Sequence, residues 1–228
     1  MKENNKIAAI LSTSMILVGL VVFLLICPYL YIYIGIANDD TSIEDEIHWS
    51  KKAINSSIFK FQKEYTIDYT IGPLMLIKDY GTALDYINDL EDFGGLKKHH
   101  LYYASICCIH QGMYDKALEY AKRSKNKTLQ LKIYIIMEDL ENAAKILDTL
   151  LNQKPIKPGL YLYKAQVEIL KGNWENALKD VDIMLKYAPK HYEAWLTKAR
   201  ITRHLGLNKE HQKCISNIKL LEIKRYGK

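Results

Sequence analysis

Over 228 residues the chain carries 32 Lys and Arg against 26 Asp and Glu, a net charge of +6, with 49% hydrophobic residues and 17 tyrosines. That length accommodates one or two ordinary domains. The four cysteines include one inside an apolar block, which leaves an odd number elsewhere and does not suit a disulfide framework.

The first element is apolar. Ile7 to Ala37 is a run of 31 residues without a charge, whereas the sequence after Asp39 is charged and tyrosine-rich. At 1.5 Å per residue, Ile7 to Cys27 covers about 31 Å, roughly the hydrocarbon thickness of a bilayer. Pro28 marks the expected end, and Tyr29, Tyr31 and Tyr33 beyond it are of the type that sits at membrane interfaces, although a tilted helix could continue through them. A cleaved signal peptide would have an apolar core of about 7–15 residues, so an uncleaved signal anchor is the reading adopted. Ile26 before Cys27, and Pro28 after it, also fit a lipoprotein cleavage box poorly. Lys2 and Lys6 precede the segment and no Lys or Arg follows it until Lys51. The positive-inside rule therefore places the amino terminus in the cytoplasm and the remainder outside it, periplasmic or extracytoplasmic in a bacterium.

Four regions follow: a cytoplasmic amino terminus (1–6), a transmembrane signal anchor (7–37), an acidic juxtamembrane linker (38–53) and a helical domain (54–228). Ile54, Ile58, Phe59 and Phe61 suggest a first helix that reaches Ile71 and is broken by Gly72-Pro73.

A phrase then recurs: Asp79-Tyr80-Gly81-Thr82-Ala83-Leu84, Met113-Tyr114-Asp115-Lys116-Ala117-Leu118 and Asn173-Trp174-Glu175-Asn176-Ala177-Leu178, with a degenerate copy at Asp139-Leu140-Glu141-Asn142-Ala143-Ala144. Ala83 and Ala117 are separated by the same interval as Ala143 and Ala177, and that interval is the period of stacked helical hairpins. Ala117 to Ala143 is eight residues shorter, which requires a tight connection around Lys125-Asn126-Lys127 and a short helix after it.

These phrases resemble the tetratricopeptide repeat family, with the best match over Gly159 to Lys190. Ala165 takes the small position of the first helix, Gly172 and Trp174 the turn, Ala177 the close-packing position and Pro189 the end of the second helix. Ser105, Gly112, Tyr114 and Ala117 match in one hairpin, Leu140, Ala143 and Pro155 in the next, and Trp195, Ala199 and Gly206 in the last. There His211 replaces the alanine, so a capping helix ending near Arg225 is expected. The resemblance covers roughly 74–223 and implies an all-α fold: a transmembrane helix followed by an α-solenoid of four to five hairpins.

His99, His100, Cys107, Cys108 and His110 form the one cluster with metal-ligand chemistry, yet no second ligand pair accompanies them, and a buried helical position suits the thiols. No nucleophile motif, phosphate-binding glycine loop or zinc-protease motif is present, so neither catalysis nor any cofactor or metal is expected. Residues 39–92 carry 12 acidic and 5 basic side chains and 186–228 carry 11 basic and 3 acidic, so the charge is polarised along the chain. The basic residues follow no nucleic-acid motif, and solvated helix faces account for them; neither nucleic acid nor a small-molecule substrate is expected.

In the family the first helix of each hairpin lines a groove, which by resemblance selects Tyr102, Tyr103, Ile106, Tyr163, Gln166, Ile169, Arg200 and Arg203 for partner binding. Tyrosine and arginine are common interface anchors, although some of these rings could instead fill the space between helices. The expected protein is a scaffold anchored in a bacterial inner membrane, binding membrane-associated proteins of an envelope assembly such as a secretion, pilus, motility or translocon-associated apparatus. The alternatives are a permanent structural subunit of a large membrane complex and an organellar, import-receptor-like protein with cytosolic repeats.

Overall fold

The computed structural model describes residues 2–36, 42–155 and 157–226, and the described residues are all-α, with no strand. The chain divides into two compact units, 1–120 and 121–228.

The first unit opens with α1 (Lys2–Ile36), whose side chains from Ser14 to Phe23 are all exposed. Ser14–Gly35 is apolar and long enough to cross a membrane. From Leu24 onward the helix packs on α2 (Ile43–Ser56) and α3 (Lys60–Leu76). Tyr31 stacks on Trp49 at 6.0 Å, Tyr29 meets Tyr65 at 5.1 Å, and Cys27 and Ile32 are buried. Pro28, expected to end the helix, lies inside it. The reason is Gln62. Proline has no N–H for the carbonyl four residues back, Leu24 O. Gln62 Nε2 donates to that oxygen at 3.0 Å and to Leu25 O at 2.9 Å, while Gln62 Oε1 accepts from the Ile58 and Phe59 N–H groups. This fully buried amide thus replaces the missing donor and joins α1 to the start of α3.

The segment expected as a linker contains α2, started by Ser42, whose hydroxyl accepts from the Asp45 N–H at 3.2 Å. Glu44, Asp45 and Glu46 in its first turn complement the helix dipole. Residues 37–41 of that linker lie outside the described residues. Gly72-Pro73 likewise does not break α3, which ends one turn later at Leu76. The chain continues through α4 (Tyr80–Asp92), α5 (Lys98–His110) and α6 (Tyr114–Arg123).

The second unit holds α7 (Lys127–Ile136), α8 (Leu140–Leu151), α9 (Leu160–Leu170), α10 (Trp174–Tyr187), α11 (Tyr192–His204) and α12 (Asn208–Tyr226). The expected short helix is α7. Ala165, Ala177 and Ala194 are fully buried, so α9, α10 and α11 approach closely around Val181, Met184 and Ile201. The final helix packs through Cys214 and Ile218 on Ala199, and His211 Nδ1 donates to Ala199 O at 3.0 Å, where an alanine would make only a small contact.

The repeat is most regular at its turns. Lys78, Gly112, Glu138, Gly172 and Gly206 end the first helix of five successive hairpins, all with φ between 57° and 80°. In each, the next residue's N–H closes a six-residue ring, from Asp79 to Leu74 O, Met113 to Cys108 O, Asp139 to Tyr134 O, Asn173 to Glu168 O and Leu207 to Thr202 O, at 2.8–2.9 Å. This satisfies carbonyls that a helix end leaves free. Lys78 and Glu138 adopt the left-handed conformation without being glycine, at a cost of about 1–2 kcal/mol each. Two further pairs repeat together: Tyr80 stacks on His110 at 4.1 Å and Trp174 on His204 at 3.7 Å, each joining the start of a second helix to the end of the next first helix.

Candidate protein-binding groove

Within the second unit, α7, α9 and α11 turn one face each toward a common groove of about 750 Å³. Lys132, Ile135 and Ile136 come from α7, Leu162, Tyr163, Gln166, Ile169 and Leu170 from α9, and Arg200 from α11, with His191 and Glu193 at the start of α11 and Glu138 in the α7–α8 turn. Spacings of three, four and seven residues along α9 put its contributors on one face, while Ala165 on another packs into the core. Ile169 does both, being only 7% exposed yet at the groove wall, so it shapes the floor rather than offering a reachable side chain.

Lys132, Gln166 and Arg200 follow one another at the repeat period and are equivalent in successive hairpins. They bring a cation, an amide and a cation to a lining that also holds Ile135, Ile136, Leu162 and Leu170. Such a surface can bury aliphatic side chains and hold acidic groups or backbone carbonyls at the same time. Glu138 and Glu193 add acceptors at the ends, so the groove is mixed in charge rather than simply basic.

A recess of about 510 Å³ adjoins it, lined by Trp174, Ala199, Arg200, Arg203, His204 and His211. Arg200 belongs to both. Its guanidinium lies 5.9 Å from the centre of the Trp174 ring, against whose face His204 stacks. At that distance the guanidinium has a cation–π contact with the ring and its N–H groups can still pair with a carboxylate.

Of the residues anticipated from sequence, Tyr163, Gln166, Ile169 and Arg200 line the groove and Arg203 lines the recess. Tyr102, Tyr103 and Ile106 lie on α5 in the first unit, where Tyr102 is exposed and meets Tyr103 edge-on at 5.6 Å. Lys132 and Ile135 were missed, although each lies one repeat period before an anticipated residue, Gln166 and Ile169. The shortened third hairpin hid that register.

The histidine–cysteine cluster does not assemble. Cys107 and Cys108 are fully buried, and burial pushes both thiols up, Cys107 to about 12. His99 and His100 instead meet Asp68, with three ligand-type atoms within 4.8 Å of one another. His100 Nδ1 accepts from the Lys97 N–H at 3.1 Å, which fixes its proton on Nε2, and Nε2 donates to Asp68 Oδ1 at 2.6 Å. Holding an ion there would require removing that proton, so the contacts suit a lock between α3 and the start of α5.

In sequence the chain matches no family model and no curated protein. In structure it is similar to a tetratricopeptide repeat protein from Parabacteroides merdae, with a TM-score of 0.67 over 88% of this chain and 83% of that one, at 14% identity. The chain has the tetratricopeptide repeat fold. Two MamA structures agree: the RS-1 ArsTM double mutant, with a TM-score of 0.54 at 11% identity over 73% of this chain and 98% of that one, and the 41-to-end protein from Desulfovibrio magneticus RS-1, with 0.51 at 12% over 72% and 96%. The five turns with the same backbone closure account for the likeness despite the low identity, since that closure depends on backbone conformation more than on side-chain identity.

Proposed function

We propose that this protein is a membrane-anchored, non-enzymatic scaffold whose groove over α7, α9 and α11 holds an extended segment of a partner protein. One observation carries the reading: Lys132, Gln166 and Arg200, equivalent residues of three successive first helices, lie in register along one groove of about 750 Å³. A partner segment with aliphatic residues for Ile135, Ile136 and Leu162 and a carboxylate for Arg200 fits its chemistry. Tyr102, Tyr103 and Ile106 offer a further contact surface on the first unit.

Anchoring is supported by how α1 is built. A cleaved signal peptide would leave with its helix, yet Leu24 to Ile36 supplies partners for Gln62, Trp49 and Tyr65. Their loss would strip α2 and α3 of packing, so the segment serves as an uncleaved anchor. A cytoplasmic amino terminus, with the repeats outside at a bacterial inner membrane, is supported by Lys2 and Lys6 before the segment and no Lys or Arg after it until Lys51. Tethering concentrates the groove near membrane-bound proteins, which suits the assembly of an envelope complex.

A photo-crosslinking residue at Gln166, in native membranes, tests the groove. Adducts with a discrete partner that disappear with Arg200→Glu are expected; adducts only from a control at Lys179, on the outside of α10, would refute it. Orientation is read from a thiol introduced at exposed Lys145, since Cys214 is buried. Its labelling by an impermeant reagent from the cytoplasmic side would reverse the assignment.

A further inference from the structure

We propose that the corner between α2 and α3 is a second membrane contact, with Ile58, Phe59 and Phe61 entering the interface of the bilayer that α1 crosses. This rests on the anchor reading above. The three side chains are 53%, 45% and 54% exposed, although large apolar groups are normally covered, and the two phenylalanine rings stack at 5.7 Å and 15° into a flat plate. Tyr65, half-exposed one turn along α3, rests on Tyr29 of α1.

Position along α1 identifies the occupant. Ile7 to Phe23 is a stretch of 17 uncharged residues in the sequence, and its described side chains, Ser14 to Phe23, are exposed up to the start of packing at Leu24. At 1.5 Å per residue that stretch spans about 26 Å, a few ångströms short of a hydrocarbon core of about 30 Å. The core boundary therefore falls near Ile26, past the Leu24 and Leu25 carbonyls to which Gln62 is bonded. Phe61 neighbours Gln62 in sequence and Phe59 caps the same helix, so the aromatic plate is held at the depth where the bilayer's interface lies. Aromatic side chains favour that layer.

Several of the corner's polar groups already have partners. Ser56 and Ser57 hydroxyls donate to Ala53 O at 3.0 and 2.8 Å, the Ile58 and Phe59 N–H groups reach Gln62 Oε1, and Phe59 O accepts from the Gln62 and Lys63 N–H groups. The Lys60 ammonium, between the two rings in sequence, is drawn away to Gly94 O at 2.9 Å. On leaving water these groups stay paired, as backbone that enters a membrane requires. The corner acts as a wedge that fixes the tilt of the first repeats on the membrane surface.

The test uses the full chain in phosphatidylcholine vesicles. Phe59→Cys, and separately Phe61→Cys, is labelled with an environment-sensitive fluorophore; the four native cysteines are buried and stay unlabelled. Lys145→Cys provides the aqueous reference. Quenching of the labels at 59 and 61 by acyl-brominated phosphatidylcholine, at least threefold above that at 145, is expected. Labels that stay open to aqueous iodide on a chain that floats with the vesicles would overturn the wedge while leaving the anchor intact. A blue-shifted label that brominated lipid does not quench would show that protein, not lipid, covers the corner, and would also overturn it. Failure of the unlabelled chain to float would overturn the anchor itself.

Discussion

Replacing Gln62 by Met keeps the volume of a long side chain and removes four hydrogen bonds at one stroke. These bonds differ in value. The Ile58 and Phe59 N–H groups lie at a corner whose side chains are exposed, where water of the detergent interface can replace Gln62, and Leu25 O keeps a donor within its own helix. Leu24 O does not, because Pro28 stands where that donor would be. An unsatisfied buried acceptor costs about 1–3 kcal/mol, so with the smaller losses the substitution should destabilise the first unit by about 2–3 kcal/mol. The companion change Pro28→Ala restores the N–H that Leu24 O lacks. Its benefit should be larger by about 1–2 kcal/mol when Gln62 is already Met than when Gln62 is present, because the two donors then do not compete for one oxygen. Denaturant titration of all four proteins in one detergent, followed by circular dichroism, measures the cycle. A coupling energy below about 0.5 kcal/mol, the range of independent sites, would refute the claim that Gln62 stands in for the proline's missing donor.

Glu138→Gly relieves a left-handed non-glycine residue with φ 57° and should stabilise the second unit by about 0.5–1 kcal/mol, read as a higher denaturation midpoint; the same change at Glu141, inside α8, should lower it. His100 titrates below the ordinary histidine range because burial disfavours its charged form, against the opposing pull of Asp68. The unfolded chain therefore takes up the proton first, so the stability from neutral His100 is present above about pH 6.5 and falls as pH drops below it; His100→Asn should flatten that part of the pH profile, and an unchanged slope would show that the acid sensitivity arises elsewhere. Burial raises the thiols of Cys107, Cys108 and Cys214, so none should react with a thiol reagent at pH 8 in the native protein and all should in denaturant. Fast labelling of Cys107 in the native state would indicate an activated thiol.

The repeat architecture was legible because it rests on local rules: alanines that permit helix approach, glycines that permit a left-handed turn, and a fixed period between them. What was illegible depended on distant partners. Pro28 reads as a helix end until Gln62, two helices further along the chain, is brought against Leu24 O. Ser42 and the acidic turn after it do announce α2, but its apolar face, Ile47, Ala53 and Ile54, is short and its acidic start resembles a spacer. Gly72-Pro73 and the shortened spacing made the first and third hairpins look irregular, and their turns carry Lys78 and Glu138 where the others have glycine, yet their backbone closure matches the others. The groove lay between these extremes: its residue types were anticipated on α9 and α11 and missed on α7.

The invariant that would have found them is distance from the turn. Ile106, Lys132, Gln166 and Arg200 each lie six residues before a left-handed residue, Gly112, Glu138, Gly172 and Gly206. Eight residues are missing from the stretch that holds α6 and α7, yet this offset is unchanged. The lengths show where the shortening went. Against α10 and α11, with 14 and 13 residues, α6 and α7 have 10 each, so about one turn is lost from each helix and the rest from the link. Both losses fall at the open end of the hairpins, beyond the residues that close the turn. Removing near-whole turns there leaves every retained side chain on its original face, whereas a loss of two residues between Lys132 and Glu138 would rotate Lys132 by about 200° and carry it out of the groove. Deleting Ile133 and Tyr134, between Lys132 and the turn, should therefore abolish crosslinking at Gln166 by splitting the row, while deleting Lys127 and Thr128, at the open end, should preserve it. Equal loss from both deletions would show that groove register is not set from the turn.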